Sequence, residues 1–132
     1  GQLMQRVASL GLGRNILFTG WIAPEDTRRL FAAADLFVMP SVSEPFGIAA
    51  LEAIDSGVPV IVSRGAGVSE VVRTMLEVDF WDVEGLAAMI LSVLTYHPLR
   101  RELEEAGREE LERWTWVDAG SRLAGLYAGL LK

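Results

Sequence analysis

Two carboxylates, Glu44 and Glu52, flank a Phe46-Gly47-Ile48 turn in the stretch PSVSEPFGIAALEAIDSGVPV, residues 40–60. Carboxylates accept hydrogen bonds from paired hydroxyls, the groups that sugars and riboses display. The turn joins an apolar segment, Leu36-Phe37-Val38-Met39, to a predicted helix that runs from Gly47 to Ser56 and is closed by Gly57. A helix starting near Phe46 or Gly47 presents unpaired backbone N–H groups and the positive end of its dipole. A phosphate can be held there without a basic side chain. Gly47 lacks a Cβ, so a ligand can come close to the backbone. If one helix carried both glutamates, eight residues of rise would separate them by roughly 12 Å, and 100° per residue would leave them within about 80° of each other. Glu44 can then hold a sugar at one end of a diphosphate, and Glu52 a ribose diol at the other.

The same residues admit plainer roles. Glu44 can be a carboxylate interacting with the helix dipole, and Glu52 a solvated helix residue. Glu52 sits between Leu51 and Ala53 and one turn after Ile48. On so apolar a helix a buried carboxylate would need a partner or a ligand. Gly65-Ala66-Gly67 reads as a plain turn as readily as a phosphate loop.

These residues need a frame, and the chain supplies alternating strands and helices. Gly1 to Leu10 reads as a helix stopped by Gly11 and Gly13, and Asn15 to Thr19 as a short first strand. Pro24, with Glu25 and Asp26 beside it, opens a helix that Asp35 ends. Leu36–Met39 is the second strand, Val58–Val62 the third and Leu76–Phe80 a fourth, with a short helix predicted over Ser69–Arg73. Asp82 caps a helix from Val83 to about Tyr96, Pro98 starts another to about Glu112, and Thr115 caps a last one through Leu130. Apolar strands alternating with helices predict an α/β fold, an open parallel sheet covered by helices. Residues 1–132 form one domain, ending in helices from about residue 83.

Composition narrows the function classes. The net charge is −6 and the arginines are interleaved with acids, which excludes a nucleic-acid stripe. The absence of cysteine excludes disulfides and thiolate metal or redox sites. The lone histidine, His97, precedes Pro98 and is expected in a loop. No apolar run spans a bilayer, Gly1 to Leu12 has no leader pattern, and a cytoplasmic location is expected. A hydrophobic fraction of 51% and a mean hydropathy of +0.30 fit either apolar parallel strands or a surface that awaits a partner.

The stretch PSVSEPFGIAALEAIDSGVPVIVSRGAGVSEVV resembles the core motif of the glycosyltransferase group 1 family, retaining, nucleotide-sugar-dependent enzymes with two Rossmann-like domains. The similarity continues upstream through NILFTGWIAPEDTRRLFAAADLFVMPS and downstream through VDFWDVEGLAAMI and RWTWVDAGSRLAGLY. The VDFWD segment is similar to a glycogen- or α-glucan-synthase-like branch. The resemblance implies a Rossmann-like donor-binding half-domain. Glu44 would act at the donor sugar, supported by Phe46 and Gly47. Ile48 and Ala49 would approach the diphosphate, Glu52 would bind the ribose, and Gly20, Trp21 and Ile22 would line the nucleobase. It implies a donor such as UDP- or ADP-glucose, no metal, and hexosyl transfer to an acceptor hydroxyl.

The family pattern also includes two further strands with a basic pair that neutralises the leaving diphosphate, and an N-terminal acceptor domain. Neither matches a segment of this sequence. The acceptor domain of the same enzyme is therefore an expected partner, and self-association through exposed apolar surface is another expectation. In the family sheet those two strands lie between the segments at 15–19 and 36–39, so these must either pair directly or leave a gap. Arg64 is a candidate for the leaving group or a plain surface residue, and Asp55 stands where the family carries a small side chain. A departing diphosphate needs preorganised positive charge, so the chain alone is expected not to transfer sugar. A non-catalytic nucleotide-binding or protein-interaction module of the same fold is the alternative.

Overall fold

The computed structural model describes residues 1–130. Three short parallel strands, β1 (Phe37–Met39), β2 (Val60–Ser63) and β3 (Leu76–Val78), form one sheet in that order. The register pairs Val38 with Ile61 and Val62 with Glu77. β2 is central and buried along its whole length, as its Val-Ile-Val run requires of a strand covered on both faces.

The helices are α1 (Gln2–Ser9), α2 (Pro24–Ala33), α3 (Ile48–Asp55), α4 (Val83–Thr95), α5 (His97–Glu112) and α6 (Trp116–Leu130). Pro24 opens α2 with Glu25 and Asp26 in its first turn. Asp82 caps α4 by accepting a hydrogen bond from the Gly85 amide at 2.8 Å. α3 buries Ala50, Ala53 and Ile54 against Val60, Val62, Val68, Val72 and Met75. Phe31 of α2 joins this core and meets Phe37 edge to face, with ring centroids 5.3 Å apart. α5 comes close enough to α3 that a Cβ on Gly107 would lie 2.9 Å from Ile54 Cγ2.

Four expectations are corrected. Residues 15–19 are exposed and form no strand, because no described segment offers them a ladder; they do not pair with β1. The sheet therefore has three strands among the described residues. The helix expected over Ser69–Arg73 is a single 3-10 turn, Gly67–Glu70. The amides of Arg73 and Thr74 donate instead to the Glu110 carboxylate of α5, at 2.9 and 3.0 Å, which draws the chain out of the turn. His97 is the first residue of α5 and not a loop residue. Glu44 lies outside α3, which begins at Ile48, so the helical spacing assumed for the two glutamates does not apply. Only the four steps from Ile48 to Glu52 rise along the helix, about 6 Å.

Candidate functional site

The carboxyl ends of β1 and β2 carry two loops that hold each other. Residues 41–46 leave β1, and the turn at 64–65 leaves β2. The Gly67 amide donates to the Glu44 carbonyl at 3.0 Å. A Cβ on Gly67 would lie 2.1 Å from the Pro45 carbonyl oxygen, so only glycine permits this approach. Gly47 caps α3 in the left-handed region, with φ at 100°, and packs over Met39 and Val68. Its conformation turns the chain from the loop into α3.

The sequence candidates fall into two groups. Glu44, Phe46, Gly47, Ile48 and Ala49 lie together at the entry to α3. Glu44 is half-buried, and its Oε1 accepts a long 3.4 Å hydrogen bond from the Phe46 amide. Phe46 and Ile48 are exposed. No side chain caps the N-terminus of α3, which leaves its first amides and its positive dipole end open to an anion.

The second group meets at a cavity of about 710 Å³ between α2 and α3. Glu52, Asp55 and Ser56 line it from α3, Thr27, Arg28 and Phe31 from α2, and Ile22 from the segment before α2. Glu52 is exposed to this space, as in its plainer reading as a solvated helix residue. Among the described residues the side chains of Glu52, Asp55 and Arg28 make no hydrogen bond or ion pair. Gly20 and Trp21 do not line the cavity, and Trp21 is 86% exposed, neither packed nor in contact with the space its neighbour Ile22 borders. Arg64 follows β2 and pairs with Asp79 at 3.4 Å on the surface.

Sequence reasoning did not place Arg28, Thr27 and Phe31 at the site. Phe31 is buried on the inner face of α2, but which helix forms the opposite rim was not legible in the sequence. Asp55 was visible as unusual, and its position three residues after Glu52 puts both on one face of α3. Ser63 was also missed. It ends β2 at 2% exposure, and its Oγ has no hydrogen-bond partner among the described residues. No group of three or more His, Cys, Asp or Glu side chains is placed to hold a metal ion among the described residues. Nor is any described helix long and apolar enough to cross a membrane.

The family model for glycosyl transferases group 1 matches residues 2–110. The chain belongs to the glycosyl transferases group 1 family. It is 35% identical over 132 residues to mannosylfructose-phosphate synthase of Agrobacterium fabrum, covering 97% of this chain and 29% of that protein. A GDP-mannose-dependent alpha-(1-6)-phosphatidylinositol monomannoside mannosyltransferase of Mycolicibacterium smegmatis is 34% identical over 140 residues, covering 97% of this chain and 37% of that protein. Sucrose-phosphate synthase from Thermosynechococcus elongatus superposes with a TM-score of 0.82 at 32% identity, covering 98% of this chain and 34% of that one. Anabaena Alr3699/HepE in complex with UDP and glucose gives 0.82 at 25% identity, covering 97% and 36%. The chain thus spans about a third of the length of these relatives. The group 1 architecture accounts for the open parallel sheet and its covering helices as a Rossmann-like half-domain.

Proposed function

We propose that the chain is the donor-binding part of a retaining glycosyltransferase that moves a hexosyl group from a nucleoside-diphosphate sugar to an acceptor hydroxyl. The observation that carries this reading is the convergence of Ile22 and the unpartnered Glu52 carboxylate on one cavity, beside a helix whose N-terminus no side chain caps. In this reading Glu52 accepts hydrogen bonds from the ribose diol, and the amides at Gly47, Ile48 and Ala49 face the diphosphate. Glu44, at the mouth of the same helix, faces the donor sugar. The family relatives named for sugar transfer, and the neighbour solved with UDP and glucose, support it.

Departure of the diphosphate develops negative charge that fixed dipoles or cations must stabilise. The α3 N-terminus supplies a dipole, while the nearby Arg64 is engaged with Asp79. The chain therefore binds donor without turning it over, and an acceptor domain completes the enzyme. Calorimetric titration of the chain with UDP, ADP and GDP tests the reading. One of them binds, and Glu52→Gln weakens it roughly 10-fold or more, the value of hydrogen bonds to a charged group. Unchanged affinity in Glu52→Gln would remove the ribose assignment.

A further inference from the structure

Besides Glu52, the cavity between α2 and α3 is lined by Asp55 from α3 and by Glu25, Arg28 and Arg29 from α2; Glu25 sits in the first turn of α2, and Asp55 shares the face of Glu52. Asp55 stands three residues beyond Glu52, about 4.5 Å farther along the helix and on the same face. Arg28 lines the same space from α2. Among the described residues neither side chain has a partner, and Ser56 is turned to its own helix, its hydroxyl donating to the Glu52 carbonyl at 2.8 Å. Arg29, also at this cavity, is tied to Asp26 at 3.1 Å. Ile22 and Phe31 supply apolar surface between the charged groups. The cavity therefore offers a flat heterocycle apolar contact, the Arg28 donor fork, and carboxylate acceptors, of which Asp55 is the one beside Glu52 on α3.

We propose that Asp55 is a specificity-determining residue of the donor site, and that with Arg28 it selects a guanine nucleotide. The proposal rests on the donor-binding reading above and goes beyond it in naming the base. A carboxylate accepts two parallel N–H groups, and guanine alone among the common bases presents two side by side, N1–H and the 2-amino group. The O6 and N7 acceptors of guanine suit a guanidinium fork. Uracil offers a single N–H flanked by carbonyl oxygens, so one of them would face the Asp55 carboxylate. Adenine directs its 6-amino donor where Arg28 supplies only donors. The charge pattern thus rejects uracil and adenine, the bases of the donors expected from sequence.

The test compares GDP, UDP, ADP and IDP by calorimetry on the whole chain and on Asp55→Ala, Asp55→Asn and Glu52→Gln. IDP differs from GDP only in lacking the 2-amino group. Asp55 is exposed, so its substitutions leave the core intact. The wild-type chain binds GDP best, and IDP roughly 10-fold more weakly. Asp55→Ala lowers GDP affinity by about 10- to 100-fold and abolishes the difference between GDP and IDP. Glu52→Gln weakens every nucleotide and preserves their ranking. A wild-type preference for UDP or ADP overturns the proposal, as does an Asp55→Ala variant that still separates GDP from IDP. If either occurs while Glu52→Gln weakens binding, the donor-binding reading stands and only the base assignment falls. A folded chain that binds none of the four overturns both.

Discussion

The Gly67 amide donates to the Glu44 carbonyl at 3.0 Å, which joins the turn after β2 to the loop that carries Glu44, the residue proposed to face the donor sugar. Gly67→Ala would set a Cβ 2.1 Å from the Pro45 carbonyl oxygen, and backbone cannot yield as a flexible side-chain tip can. The two loops must separate, at a cost of about 1–3 kcal/mol. The expected outcome is a lower Tm together with weaker nucleotide binding. Unchanged binding would show that the loops act independently.

The helical scaffold was the most legible part of the sequence. Pro24 with its acidic neighbours, Asp82 and Gly57 are local signals, and each acts within its own helix or cap. The strand expected at Asn15–Thr19 failed because a strand exists only through its partner, which periodicity along Ile16, Leu17 and Phe18 cannot report. The short helix expected at Ser69–Arg73 failed for a long-range reason as well, since Glu110 takes its amides from far along the chain. At the candidate site the Gly47 entry to α3 was legible, whereas the helical spacing assumed between Glu44 and Glu52 was not met, because α3 begins only at Ile48. Arg28 was not legible, because its relation to Asp55 exists only once α2 and α3 are packed.

Glycines on two helices should respond oppositely to alanine. Gly107 is buried, and an added Cβ would lie 2.9 Å from Ile54 Cγ2, so Gly107→Ala forces α5 away from α3 and destabilises by about 1–3 kcal/mol. Gly125 of α6 has open space where its Cβ would stand, so Gly125→Ala raises helix propensity and is neutral or stabilises by up to about 1 kcal/mol. Denaturant midpoints of the two variants decide the matter, and a drop for Gly125→Ala or no change for Gly107→Ala would contradict this packing.

Ser63 carries a hydroxyl with no partner among the described residues at 2% exposure. A buried polar group without a hydrogen bond costs free energy that alanine does not. Ser63→Ala should therefore leave the ligand-free chain as stable or raise its stability by up to about 1 kcal/mol. A clear fall in Tm would show that the hydroxyl has a partner.

The parallel order β1-β2-β3 has a consequence for how the chain assembles. Parallel neighbours cannot be joined by a hairpin, so neither ladder can begin from a local turn. Each closes only after an intervening segment has been laid down, and between β1 and β2 that segment contains α3. The helix that presents Glu52 is thus also the crossover whose docking, through Ala50, Ala53 and Ile54, brings the first two strands into reach. Folding speed and, in the proposed reading, donor affinity are therefore written into opposite faces of the same eight residues. Substitutions on the inner face slow the closing of the sheet, whereas those at the exposed Glu52 and Asp55 leave that packing intact and act, on the proposed reading, on what the finished fold can hold.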